Sequence, residues 1–112
     1  MKKNYYIQFL NLLKALEQTS QQPDIDVTSK LILEEIAIGV AKGEMLTVSD
    51  VMGLKHIGSP ATLHRKLNLL IEADMVFSVF QDNNRRTKYI HPTAKTDQYF
   101  ADLGAVLQQS MA

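Results

Sequence analysis

Between residues 3 and 19 the apolar positions Tyr5, Tyr6, Phe9, Leu10, Leu12, Leu13 and Leu16 recur three and four residues apart. That spacing predicts a helix with a wide apolar face. The stretch TSQQPDID breaks the pattern, and Asp26 or Thr28 then supplies a cap for a second helix reaching about Lys42. Its sequence, SKLILEEIAIGVAKG, is apolar on most sides and belongs at the centre of a core, with Gly43 as its stop. In MLTVSDVMGL a short helix begins near Thr47 or Ser49, with Val48, Val51, Met52 and Leu54 turned inward. KHIG connects it to SPATLHRKLNLLIEADMV, where Ser59 offers a side-chain oxygen to unpaired amides and Pro60 fills the first turn of a helix running to about Ala73.

The period then changes. VFSVF alternates β-branched and aromatic residues, QDNNRR is a polar turn, and TKYIH is a second short strand, which together make a hairpin. Pro92 ends that strand, and Thr93 or Thr96 opens a last helix carrying Tyr99, Phe100, Leu103, Val106, Leu107 and Met111. Two helices joined by a few residues and followed at once by a hairpin describe a winged helix-turn-helix. The expected fold is mainly α with a β-hairpin wing and extra N- and C-terminal helices. It forms a single domain over residues 1–112, with 27–91 as the winged core and 1–20 and 93–112 as dimerisation helices.

Composition narrows the class. A chain of 112 residues fits one domain, and 46% hydrophobic content is ample for a core. The absence of cysteine rules out disulfides and thiolate zinc sites. No apolar run reaches the roughly 18–20 residues that span a bilayer. Two lysines precede the first apolar stretch, but Asn11, Lys14 and Glu17 interrupt it and no small-residue cleavage site follows. A soluble cytoplasmic protein without membrane association is therefore expected. His56, His64 and His91 lack ligand spacing, and no glycine-rich phosphate loop or nucleophile motif occurs. The adjacent carboxylates Asp24 with Asp26 and Glu34 with Glu35 read as solvated surface. The expectation is a protein that is not an enzyme and takes no metal or cofactor.

Net charge is +0, yet residues 55–95 hold seven basic against three acidic side chains, a local +4 balanced by −4 elsewhere. Local fields govern encounter with phosphate, so a neutral chain can still bind nucleic acid. On a wheel at about 100° per residue, Leu63, Leu67, Leu70 and Ile71 form the buried face of the helix after Pro60. Arg65 points away, flanked by Thr62, Asn68 and Leu69, with His64 and Lys66 at the borders. Arg can grip guanine through two bonds, Asn can do the same for adenine, and Thr can touch a thymine methyl. Ser59 and the first amides can hold a phosphate. Asn83, Asn84, Arg85, Arg86 and Lys88 at the hairpin turn suit a minor groove or backbone. A polar helix face or a charged turn, taken alone, is commonly just solvated. Both, in this order and spacing, favour double-stranded DNA.

From about Val27 onward the chain resembles the MarR-type winged-helix transcription regulators. LTVSDVMGL matches their first motif helix, SPATLHRKLNLLIEADMV the recognition helix, and NNRRTKYIHPTAK the wing and its exit. The family's small polar start, Thr-x-x-Arg step and apolar exit fall on Ser59, Thr62, Arg65, Leu70, Met75 and Val76, and its Asp-Arg-Arg wing on Asn84, Arg85 and Arg86. Asp74 stands where the family usually has glycine, and Pro92 and Thr96 replace a leucine and a glycine after the wing. The resemblance implies a homodimer built from the terminal helices, pseudo-palindromic DNA as partner and often a small-molecule effector. Tyr5, Phe9, Leu12, Leu13, Leu16, Tyr99, Leu103, Val106 and Leu107 exceed what a small winged core needs to bury, which fits such a dimer. The alternatives are a winged-helix protein-interaction or dimerisation module and a plasmid or phage replication accessory protein.

Overall fold

The computed structural model describes residues 3–19, 23–81, 83 and 85–112. Along the chain run α1 (Tyr5–Glu17), α2 (Val27–Ala41), α3 (Val48–Met52), α4 (Pro60–Glu72), β1 (Val76–Phe80), β2 (Lys88–Pro92) and α5 (Ala94–Ser110). They divide into two compact units, Ile25–Thr96 and the pair Met1–Asp24 with Asp97–Ala112.

The unit Ile25–Thr96 is a winged helix. Asp26 caps α2 by accepting the Ser29 amide at 2.8 Å, and Ile32, Leu33 and Ile36 of that helix are fully buried. The helix stops through a Schellman arrangement, in which Glu44 N–H donates to Gly39 O at 2.7 Å and Gly43 N–H to Val40 O at 3.0 Å. Gly43 takes a φ of 74°, the left-handed region that glycine enters without a Cβ penalty. Gly39 serves a different need, since a Cβ there would meet Glu44 O at 2.7 Å.

A reciprocal capping box opens α3, with Asp50 N–H donating to Thr47 Oγ1 at 3.0 Å and Thr47 N–H to Asp50 Oδ2 at 2.9 Å. Val51, Leu63, Leu67 and Leu70 join the α2 side chains in the core, with Met75, Val76 and Ile90 closing it from the hairpin. β1 and β2 pair antiparallel from Val76 opposite Pro92 to Phe80 opposite Lys88. Proline lacks an amide hydrogen and sits at strand ends, and Pro92 is accordingly the last residue of β2. A third strand fragment, absent from the sequence-based expectation, lies against β2: Ile90 N–H donates to Leu46 O at 2.8 Å, and Thr47 bridges to Tyr89. Two residues are too few to show an alternating pattern in sequence.

The exit of α4 repeats the Schellman geometry without glycine. Met75 N–H donates to Leu70 O at 2.9 Å and Asp74 N–H to Ile71 O at 3.0 Å, while Asp74 itself holds a φ of 59°. Thr93 Oγ1 donates to Asp74 O at 2.7 Å, and buried Thr96 Oγ1 donates to Met75 O at 2.6 Å.

In the other unit, Asn4 Oδ1 accepts the Tyr6 and Ile7 amides at 3.0 and 3.2 Å and caps α1. No residue of α1 is fully buried. Lys3 Nζ donates to Ala112 O at 2.9 Å, bringing the described chain ends together.

Asp74→Gly relieves the left-handed strain at the α4 exit, a penalty of about 1–2 kcal/mol for an ordinary L-residue and smaller for aspartate. Part of the gain is offset by the entropy of the unfolded chain. Chemical denaturation is expected to show a net stabilisation of about 0.5 kcal/mol. A loss of stability would mean that the Asp74 side chain makes a compensating contact.

Candidate nucleic-acid interface

The outer face of α4 is built by its own cap. Ser59 Oγ accepts the Thr62 amide at 3.2 Å and donates to Thr62 Oγ1 at 3.1 Å, and Pro60 starts the helix. Leu63, Leu67 and Leu70 anchor the opposite side, so His64, Arg65, Asn68 and Leu69 face solvent and Thr62 is half-buried. Asn68 Nδ2 lies 3.4 Å from His64 Nδ1, a spacing of one helical turn. Arg65, central on this face, is exposed.

One expectation for this helix is corrected. Ile71 is 44% exposed rather than part of the buried face. On the wheel it stands about 80° from Leu63, at the border of the apolar stripe, where the core ends. Lys66, at the border of the outer face as expected, is half-buried and already has a partner. Its Nζ lies 3.1 Å from Asp26 Oδ2, and its side chain is only 20% exposed against 43% for Asp26. This pair ties α4 to the N-terminus of α2. The Ser29 amide, with Lys66 and the Ser29 hydroxyl adding to it, lowers the Asp26 carboxyl from 3.8 to about 2 against the opposing cost of burial. Sequence reading had no means to find a partner forty positions away.

At the hairpin end, Asn83, Arg85, Arg86 and Lys88 are exposed, and Lys88 Nζ stands 5.7 Å from the centre of the Phe80 ring. Asn84 lies outside the described residues. The hairpin and α4 thus both present polar and basic side chains to solvent. Among the described residues no group of three His, Cys, Asp or Glu side chains is placed to hold a metal, and no helix is long and apolar enough to cross a membrane.

On α1 and α5, Tyr5, Tyr6, Ile7, Leu107 and Met111 are more than half exposed. Phe9, Leu12, Leu13, Leu16 and Leu103 are half-buried, whereas Tyr99 and Val106 are buried within the single chain. Helical spacing marks a residue as apolar without saying what covers it, so Tyr99 and Val106 read from sequence like their exposed neighbours.

No protein-family model and no curated protein matches the sequence. Solved structures match by fold. Staphylococcus aureus MarR in complex with salicylate and kanamycin aligns with a TM-score of 0.57 at 20% identity, over 96% of this chain and 63% of that one. MepR, a transcription regulator of the Staphylococcus aureus multidrug efflux pump MepA, gives 0.57 at 18% identity, over 95% and 73%. YusO from Bacillus subtilis gives 0.55 at 14% identity, over 96% and 67%. The chain therefore has the winged-helix fold of these proteins and spans less than two thirds of the MarR chain.

Asp26→Asn keeps a capping oxygen but removes the charge facing Lys66. The carboxyl titrates below its unfolded value, so its contribution is present above about pH 4 and is lost as pH falls towards 2. Because Asp26 is partly exposed, solvent screening limits the cost of the substitution at neutral pH to about 1 kcal/mol or less. Denaturation at several pH values is expected to show the gap between wild type and variant closing over that acid range. A gap that stays constant would show that the ion pair contributes nothing electrostatic.

Proposed function

We propose that the protein is a sequence-specific double-stranded DNA-binding transcription regulator of the MarR type, acting as a homodimer. The observation that carries this reading is the outer face of α4. Thr62, Arg65 and Asn68 stand together on a helix whose opposite side is locked in the core. Arg85, Arg86 and Lys88 extend the same basic segment into the wing. Major-groove readers place such a helix N-terminal half against base edges and let the wing meet phosphate or the minor groove. Ser59 and the first amides of α4 bind backbone phosphate, and His64 lies beside the groove contacts. The fold likeness to MepR, a transcription regulator, supports the assignment.

Exposed apolar side chains on α1 and α5 support the dimer. A second copy covers Tyr5, Tyr6, Ile7, Leu107 and Met111, and sets two recognition helices about 34–36 Å apart. The salicylate and kanamycin bound to MarR add a small-molecule effector to this reading. A second reading has one specific support: Leu69 and Ile71 are both exposed on α4, which suits a protein-interaction module.

Electrophoretic mobility shifts with genomic fragments test the assignment, and affinity is expected to fall steeply with salt as each neutralised phosphate releases counterions. Absence of binding at low salt would leave the interaction module ahead. Light scattering at micromolar concentration is expected to report a dimer, and a monomer would remove the proposed role of α1 and α5. Arg65→Ala is expected to cost about 1–3 kcal/mol on the preferred site and much less on unrelated DNA. Arg86→Ala is expected to weaken both duplexes equally and to flatten the salt slope by about one unit. The opposite pattern would place recognition in the wing.

A further inference from the structure

β2 is flanked on both sides, by β1 and by the Leu46–Thr47 fragment, which leaves β1 as an edge strand. Two hydrogen bonds fix which backbone groups lie on its outer side. Ile90 N–H donates to Leu46 O at 2.8 Å and so turns away from β1, whereas Thr93 N–H donates to Met75 O at 3.1 Å. Bonded and non-bonded residue pairs alternate along an antiparallel ladder. Phe77 and Val79 are therefore bonded to His91 and Tyr89, and Val76, Ser78 and Phe80 aim their N–H and C=O groups outward. Among the described residues no hydrogen bond reaches those three from the outer side. Natural edges are commonly blunted by lysine, proline or a bulge. The strand VFSVF has no charge and no proline, and it pairs with β2 residue for residue.

We infer that β1 is a pairing edge for β1 of a second copy of this chain, antiparallel and centred on Ser78. The strand is self-complementary about that residue. Ser78 meets its own counterpart, each Val76 meets a Phe80, and each Phe77 meets a Val79. The three outward residues then all fall in bonded pairs, so every outward N–H and C=O of both strands finds a partner. On the outer face of the hairpin, the Phe77 ring stands 5.4 Å from the His91 ring, and Val79 is opposite Tyr89. Pairing continues this apolar face into the same four side chains of the second copy. An extended segment of another protein would satisfy the backbone equally, but the mirrored order of valine and phenylalanine selects the same strand.

Five residues a side is far below the roughly 20–30 of a stable interface, so the contact is weak between copies free in solution. It forms where copies are held side by side, because tethering raises the effective concentration to about the millimolar range. Copies bound next to one another on a duplex, under the proposed DNA role, meet that condition. The contact itself uses neither the terminal helices nor the outer stripe of α4, and it depends on neither proposal.

The chain has no cysteine, so Ser78→Cys and Phe80→Cys each introduce a single thiol into the full chain. Bonded partners of an antiparallel pair stand about 5.5 Å apart at Cα, within disulfide reach. Phe80 pairs with Val76 and lies far from the second copy's equivalent. Under mild oxidation at high protein concentration, Ser78→Cys is expected to form a covalent dimer several-fold faster than Phe80→Cys. By sedimentation, the wild type is expected to gain mass reversibly with concentration. Ser78→Lys and Ser78→Asp, each alone, are expected to lose that gain, because like charges then stand directly opposite. An equimolar mixture of the two is expected to regain it, a recovery that misfolding would not produce. Crosslinking of Phe80→Cys as fast as Ser78→Cys, or of neither, would overturn self-pairing and leave the edge to an extended segment of another protein. A mixture that fails to associate would overturn it too. Wild-type mass that does not fall again on dilution would mark open-ended aggregation and overturn the bounded pair.

Discussion

Three carbonyl oxygens at the exit of α4 tie the residues that follow the hairpin back to that helix. Ala73 O accepts from Lys95 Nζ at 2.9 Å, Asp74 O from Thr93 Oγ1 at 2.7 Å, and Met75 O from the Thr93 amide and the Thr96 hydroxyl at 3.1 and 2.6 Å. A helix C-terminus otherwise leaves such acceptors without intrahelical partners. Here the residues that follow the wing return to satisfy them. The position of the hairpin relative to α4 is thereby fixed at both of its ends, through the Asp74 turn before it and through residues 93–96 after it. A groove-reading helix and a wing can act together only if that angle is constant, so the constraint precedes any chemistry on the surface.

The same logic explains why so little of α4 is available to a ligand. Leu63, Leu67 and Leu70 are spent on the core, and Lys66 is paired with Asp26 at the start of α2. What remains outward is a stripe of Arg65, Asn68 and Leu69 with half-buried Thr62, bordered by His64 on one side and by Ile71 and Glu72 towards the C-terminal end. Neutral overall charge is compatible with a phosphate partner because the acidic residues are concentrated outside the basic segment. Lys66, though basic by count, contributes to orientation more than to the outward field.

Much of the fold was legible because each signal was local. Ser59–Pro60 announced the start of α4 through the physics of unpaired amides, Gly43 the end of α2 through its positive φ, and VFSVF the strand through its alternation. The failures were non-local or concerned borders. Thr47 against Tyr89 is a contact between segments that share no pattern, and Asp26 with Lys66 is one of tertiary geometry. The left-handed turn at Asp74 is made by a residue other than glycine, and its one hint was the glycine that the MarR-type pattern usually has at this position. Ile71 showed that a wheel assigns centres of faces better than their edges. For the interface, residue types and their order were visible in sequence; which side chains already had partners was not.

The central claim is that the stripe on α4, held by this frame, reads sequence in duplex DNA. Selection of genomic fragments by the purified protein, followed by sequencing, measures that directly. Enrichment of a pseudo-palindrome whose half-sites lie about 10–10.5 base pairs apart is the result this account predicts. Recovery of fragments in proportion to their abundance, with no shared motif, would contradict it.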